Sequence, residues 1–283
     1  LTASVNAEME EFLNNDAAQQ AQAEGQVVAP VAPAQIRHDF DIPHPPDLRL
    51  HVLKDYDLEA IFPYINPQML YGRHLGFKGR FSDALESEDP AALELRDNVR
   101  QVEDAMLAHP NINASALFKF FPCRADGQNL LIYGSDGQTV LEQFHFGRQA
   151  ERDGLCLTDY ILPKDSGKMD YVAMFTTTIG PGVRELADKL RDEGQFLASH
   201  TLQALALEGA EAFAELLHQQ IRQMWGLGDS PKTTYQDLFR TQFQGQRFSF
   251  GYPACPRLED QAQLFRLLDV TNNIDVELTE GYM

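Results

Sequence analysis

Several features that mark common classes of protein are scarce or missing in this sequence. Only three cysteines occur in 283 residues, and Cys123, Cys156 and Cys255 are far apart and form no C-x-x-C pair. This spacing argues against a zinc finger or a disulfide framework and favours a reducing cytoplasm. No apolar run approaches the roughly 20 residues of a transmembrane helix. The acidic first residues, LTASVNAEMEEF, have no signal-peptide pattern.

Basic residues are also scarce. The chain has 23 lysines and arginines against 42 aspartates and glutamates, and its net charge is −19. A phosphate backbone or an anionic lipid surface would repel such a chain unless it carried a local basic patch, and the sequence shows none. We therefore expect no nucleic acid and no membrane among its partners.

The usual catalytic and metal-binding motifs are absent. The eight histidines have no H-E-x-x-H spacing, and no G-x-S-x-G occurs, so the sequence predicts no metal site, no nucleophilic triad and no catalytic residue. Gly180 and Gly182 stand between a predicted strand and a predicted helix, where a phosphate can bind. They lack the P-loop lysine, and the nearest basic residue is Arg184. A plain turn is favoured there, and a phosphate-binding enzyme is the weakest alternative.

The first part of the chain reads as a linker. Leu1–Ile36 contains no lysine or arginine and ends in the extended spacer VVAPVAPAQI, and DIPHPPDL continues the extended character. We therefore expect residues 1–47 to be a linker or the tail of a preceding domain, and residues 48–283 to be one folded domain.

The folded part combines clustered strands with flanking helices. Three strands within Ala114–Phe146 are separated by ADGQ and SDGQ, and Asp-Gly is a strong hairpin signal. This pattern predicts an α+β fold in which a twisted antiparallel meander packs against helices. The remaining predicted strands are Asp170–Gly180, Arg247–Phe250 and residues 275–280. The predicted helices are Leu58–Tyr64, Pro90–His109, one after Gly182, a long one over Gln195–Trp225, a short one near Tyr235, and residues 258–269.

The stretch RFSFGYPACP, residues 247–256, is the most distinctive candidate for a binding site. Two prolines stiffen it, and Gly251 allows a close approach by a ligand. Arg247 offers a planar fork of donors for a carboxylate, and the ring of Tyr252 can attract a cation. The residues therefore predict a stiff, extended shelf for a ligand with a carboxylate, a positive centre and a flat ring. The alternative is a proline-stiffened surface turn with a solvated arginine.

Glu211 and His218 are seven residues apart, so both lie on one face of the predicted long helix. A carboxylate on this partly apolar face can meet a positive centre or an amino group. The alternative is an exposed glutamate, which is the usual position of this residue type.

The decapeptide resembles the S-adenosylmethionine-binding activation domain of cobalamin-dependent methionine synthase. INPQMLYGRHLGFKG, LTDYILPKDSGKMDYVAMF, LQALALEGAEAFAELLHQQIRQMWG and LTEGYM are also similar to that domain and follow in the same order. The resemblance covers residues 48–283. The cobalamin-binding and zinc-binding motifs of the full enzyme are absent, so it implies only the carboxy-terminal part, with Leu1–Ile36 as the tether. It also implies a further segment after Met283 that carries an aromatic pair near the ligand.

The resemblance implies a role for each motif residue. Arg247 would hold the ligand's carboxylate, and Glu211 would line the site near its amino or sulfonium end. Asn66 stands at a position that is aspartate in some relatives, and it keeps an acceptor without the charge. The rest of the ligand site would be formed by Ser249, Gly251, Tyr252 and Ala254.

The implied activity is repair of the methionine synthase, a methyltransferase of methionine biosynthesis that moves a methyl group from methyltetrahydrofolate to homocysteine. S-adenosylmethionine would supply the methyl group for reductive methylation of cob(II)alamin. The cobalamin and the zinc would belong to other domains, and a flavodoxin-type or other flavoprotein would donate the electron. We expect this chain alone to bind without turnover. The alternative is a docking module for a cobalamin domain or a flavoprotein that has lost ligand binding.

Overall fold

The computed structural model describes Ile36, residues 40–149 and residues 154–282. Most of the predicted linker, residues 1–47, therefore lies outside the described residues. Within the described part of the chain, no helix is long and apolar enough to cross a membrane.

Five strands form one antiparallel sheet around a long central strand. The second strand pairs along most of one edge with the fifth, through its residues 112–123. On its other edge the first strand pairs with residues 114–118 and the third with residues 123–126. The fourth strand pairs with the third and completes the meander. The strands are β1 His51–Tyr56, β2 Ile112–Asp126, β3 Asn129–Tyr133, β4 Val140–His145 and β5 Asp170–Pro181.

Helices flank the sheet, and one of them has 29 residues, which confirms the predicted α+β class, the meander and the long helix. A seven-residue π-helix precedes the second α-helix. The α-helices are α1 Leu58–Ile61, α2 Phe81–Glu86, α3 Pro90–Ala108, α4 Val183–Asp192, α5 Phe196–Met224, α6 Tyr235–Phe239, α7 Gln261–Leu268 and α8 Val270–Ile274. The π-helix is Gln68–His74, and 3-10 turns cover Phe62–Tyr64, Leu157–Tyr160, Lys164–Ser166 and Leu258–Asp260.

Local signals explain where these elements begin and turn. Asp89 caps α3 because its side chain accepts a hydrogen bond from the backbone N–H of Ala92 at 3.0 Å, and Pro90 fits the first helical position. Gly127 adopts a φ of +61° between β2 and β3, as the Asp-Gly signal predicts.

The two faces of β2 belong to two hydrophobic cores, which is why its middle part, Ala116–Cys123, is apolar apart from Lys119. Phe118 and Phe120 point into a core with α3, α4 and α5. Leu117 and Phe121 point into a second core with β3, β4, α7 and α8. The segment after α6 reaches the second core, because Cys255 is buried there. The sheet thus separates α5 from α7 and α8.

Two predicted strands are wrong and one strand was not predicted. Residues 247–250 and 275–280 form no strand. Phe250 and Phe248 instead pack on the rings of Phe144 and Tyr160, with centroid distances of 6.0 and 6.4 Å. Asp275 ends α8 with a φ of +55°, which turns the chain away from an extended course. The missed strand is β1, a largely polar strand that pairs with β2 at an edge of the sheet.

Candidate functional site

Residues 251–255 form a closed turn, which corrects the predicted extended shelf. The N–H of Gly251 donates to the carbonyl of Cys255, and the N–H of Cys255 donates to the carbonyl of Tyr252, both at 2.9 Å. Gly251 has a φ of +91°, and a Cβ there would lie 2.9 Å from Cδ2 of Leu258. A side chain is therefore unfavourable at this position for both conformational and steric reasons.

The turn is anchored on its inner side and open on its outer side. Cys255 is 3% exposed, and its thiol donates to the carbonyl of Ser249 at 2.9 Å. Burial raises the pKa of this thiol to about 11. Ala254 is buried as well, whereas Tyr252 is 63% exposed. The ring of Tyr252 is thus presented to solvent on a fixed backbone.

Arg247 lies against α5 and contacts two carboxylates one helical turn apart. Its Nη1 donates to Oε2 of Glu215 at 3.0 Å, and its Nη2 is 3.7 Å from Oε2 of Glu211. The structure therefore brings Arg247 and Glu211 together. Glu215 is a neighbour that the sequence analysis missed. The i, i+4 spacing of the two glutamates on one helix was the signal that could have found it.

The two glutamates differ in their environment. The side chain of Glu211 is 57% exposed, whereas that of Glu215 is 12% exposed. Oε1 of Glu215 is buried and has no hydrogen-bond partner among the residues that the structure describes. A buried carboxylate oxygen without a donor is costly.

A buried polar cluster lies one turn further along α5. Nη1 of Arg222 donates to Nδ1 of His218 at 2.9 Å, and Nη2 of Arg222 donates to Asp229. The guanidinium also lies 4.0 Å from the ring centroid of Phe243. Burial, then the positive charges of Arg222 and Arg247, lower the pKa of His218 to about 3. His218 is therefore neutral, and the cluster fastens the segment that leads to Arg247 onto α5.

Asn66 lies at the start of the π-helix. Its side-chain oxygen accepts a hydrogen bond from the N–H of Gln68 at 3.0 Å. No hydrogen bond within the described ranges joins it to Arg247 or to either glutamate. The π-helix itself packs on α5, where Nε2 of His74 is 2.8 Å from Oε1 of Glu208. Asn66 thus lies two residues ahead of an element that borders the same helix.

Gly182 forms the turn between β5 and α4, whereas Gly180 lies near the end of β5, where it pairs with Asn113. A Cβ on Gly182 would lie 2.8 Å from atoms of the His109 ring, so packing accounts for this glycine. Arg184 and Arg191 line an open groove of about 600 Å³ beside the turn, and Arg191 pairs with Asp188 at 2.8 Å. This groove does not include Arg247 or Tyr252. In the described part of the chain, no group of three potential metal ligands is found.

Comparison with known proteins adds a family and a ligand-bound relative. A family model for the activation domain of vitamin B12-dependent methionine synthase matches residues 57–283. The crystal structure of the MetH reactivation domain bound to AdoHcy is similar to this chain, with a TM-score of 0.80 and 28% sequence identity. The match covers 88% of this chain and 78% of that one.

Proposed function

The chain belongs to the activation-domain family of vitamin B12-dependent methionine synthase, and from this premise we propose that it binds S-adenosylmethionine as a methyl donor. AdoHcy, S-adenosylhomocysteine, is what remains of this donor once its methyl group has left. The observation that carries the proposal is the similar reactivation domain with AdoHcy bound. The family model over residues 57–283 confirms the family that the sequence motifs indicated.

The described residues fit such a ligand. Arg247 is 21% exposed in its side chain, so its guanidinium can add a ligand carboxylate to its contact with Glu215. The exposed carboxylate of Glu211 is suited to the cationic end of the ligand. Ser249, Gly251 and Ala254 would line the site beside the ring of Tyr252. Asn66 would lie at the border of this site and offer a hydrogen-bond acceptor.

When bound, S-adenosylmethionine supplies a methyl group on a sulfonium sulfur for reductive methylation of cobalamin. The residues of this chain would bind and orient the donor, because holding two reactants in the correct geometry accelerates group transfer. No general acid or base is required of them. We propose that the chain alone binds without turnover, because the cobalamin and the zinc of the full enzyme would be held by other domains.

Membership of this family also supports a proposal for the partners and the extent of the domain. We propose that the domain docks on a cobalamin-binding domain and works with a flavodoxin-type or other flavoprotein electron donor in the cytoplasm. We also propose that the domain covers residues 48–283, with residues 1–47 as a tether. Packing of Leu48 against the first core supports a start ahead of the matched residues, and Pro43, whose carbonyl accepts from Nε1 of Trp225 at 2.8 Å, would be where the tether meets the domain.

Calorimetric titration of the chain with S-adenosylmethionine tests the proposal. We expect saturable binding, and we expect Arg247→Ala to weaken it by about 1.5–3 kcal/mol through loss of a charge-assisted pair. Arg191→Ala is the matched control, because Arg191 pairs with a carboxylate in an exposed position on α4. Wild-type chain that releases no heat would contradict the proposal and favour the docking module. Unchanged affinity in Arg247→Ala would remove that residue from the site.

A further inference from the structure

Side-chain contacts at both ends fasten the π-helix and the residues just before it along α5. Ahead of the π-helix, the hydroxyl of Tyr64 donates to Oε1 of Gln219 at 2.6 Å. At its last residue, Nε2 of His74 donates to Oε1 of Glu208 at 2.8 Å, and Nε2 of His200 donates to the carbonyl of His74 at 2.9 Å. The contacted positions on α5 fall in number as those of the segment rise, so the segment runs antiparallel to α5.

Asn66 lies between these contacts and is tied to the π-helix. Its carbonyl accepts from the N–H groups of Met69 and Leu70 at 3.1 and 3.0 Å, so a shift of the π-helix moves Asn66 as well. Glu211 and Glu215 lie on the stretch of α5 that the same contacts span. The segment therefore forms a wall along the part of α5 that carries the candidate site.

The contact between His74 and Glu208 involves a buried charge. Glu208 is 7% exposed, and the described residues offer His74 as its ion-pair partner. A carboxylate that is shielded from water is stable only when it is paired and hydrogen-bonded. Without the imidazole, the end of the π-helix would have to move so that water could reach this carboxylate. A π-helix of seven residues is also uncommon, and such helices occur frequently at functional sites.

We propose that His74 is a positioning residue for ligand binding, which pairs with Glu208 to hold the π-helix on α5 and thereby keeps Asn66 at the border of the ligand site. This inference rests on the proposed function, and it assigns to His74 no contact with the ligand. Asn66 is the residue through which His74 acts. Since the contacts hold Asn66 in place before the ligand arrives, binding requires no further ordering of this segment.

Calorimetric titration with S-adenosylhomocysteine tests this role in three variants of the chain. His74→Ala should weaken binding about tenfold. His74→Gln should restore most of the affinity, because its amide nitrogen can donate to Glu208 from the position of Nε2. His51→Ala is the matched control, because it removes another histidine–carboxylate pair, which joins β1 to Asp47 over 2.9 Å. This control should change the affinity less than about twofold.

A double-mutant cycle separates positioning from general support of the fold. Asn66→Ala should weaken binding as well, and His74→Ala should then add less than about twofold, because both changes remove the same contribution. Additive losses would show that His74 acts independently of Asn66 and would overturn the inference. Full affinity in either single alanine variant, or equal losses in His74→Ala and His74→Gln, would overturn it too. In each of these cases wild-type binding leaves the proposed function standing, whereas a wild-type chain that does not bind overturns both.

Hydrogen exchange of the wild-type chain provides a measurement that does not depend on the folding of variants. The N–H of Leu75 donates to the carbonyl of Leu70 at 3.0 Å and reports opening at the end of the π-helix. If this segment supports the site, its opening releases the ligand, so saturating S-adenosylhomocysteine should slow exchange of this N–H about tenfold. Exchange in the π-helix that is unchanged while the ligand binds would contradict the inference.

Discussion

The buried imidazole of His218 predicts a specific loss of stability on acidification. His218 is 6% exposed and faces the guanidinium groups of Arg222 and Arg247, so its pKa falls from 6.5 to about 3. In the unfolded chain it titrates at its ordinary value. Between pH 6.5 and pH 3 the unfolded state therefore binds more protons than the folded state. The contribution of this group to the free energy of unfolding is fully present above pH 6.5 and is lost as the pH falls towards 3.

The size of this effect follows from the two pKa values. At pH 5 the unfolded imidazole is almost fully protonated and the folded one almost fully neutral. The lost stability at that pH is about 2 kcal/mol, and it approaches about 5 kcal/mol below pH 3, because each pKa unit corresponds to about 1.4 kcal/mol. Other groups also titrate in this range, so the effect is measured as a difference between wild type and His218→Asn.

Asparagine is the suitable replacement because its side-chain oxygen can accept the hydrogen bond that Arg222 donates to Nδ1. Urea unfolding at pH 8, 6.5 and 5 gives the free energy of unfolding for both proteins. We expect the wild-type advantage to shrink by about 2 kcal/mol from pH 8 to pH 5. Parallel pH profiles for the two proteins would refute the assignment of a strongly lowered pKa to His218.

Two further predictions concern the turn of residues 251–255. Gly251→Ala should lower the free energy of unfolding by more than the control Gly194→Ala. Gly194 also has a positive φ, but no atom lies within 4 Å of a Cβ added there. Equal losses of about 1–2 kcal/mol would mean that Leu258 moves aside without cost. The native Cys255 thiol should resist iodoacetamide at pH 8 and react after unfolding in urea, because burial raises its pKa and prevents access by the reagent. Mass spectrometry measures the alkylation. Native Cys255 that is alkylated as fast as a free cysteine would contradict this prediction.

The sheet and the long helix could be predicted because their signals are local. Strand β2 has alternating residues that serve two cores, and Asp-Gly marks its turn into β3. The predicted strands at residues 247–250 and 275–280 were wrong, although their apolar residues suggest strand pairing. In the first segment Phe250 packs on the ring of Phe144, and in the second the positive φ of Asp275 turns the chain. Strand β1 was missed because a polar edge strand has little hydrophobic pattern.

Part of the candidate site could also be predicted, because its signals are local in the sequence. The decapeptide and the family resemblance identified Arg247 and Glu211, which the structure brings to 3.7 Å. The hydrogen bonds that close the turn, and the buried oxygen of Glu215, depend on how the segment folds back on itself and onto α5. Spacing along the chain does not contain that information, although the i, i+4 glutamates lie on one helix face.

The most direct test of the central claim is to locate binding on the chain itself. Nitrogen–proton correlation spectra of the labelled chain, titrated with S-adenosylhomocysteine, report each backbone N–H separately. We expect the largest changes at Arg247, Ser249, Gly251, Tyr252 and Ala254, with smaller ones along α5 around Glu211. An unchanged spectrum, or changes confined to the groove beside Gly180 and Gly182, would contradict the account.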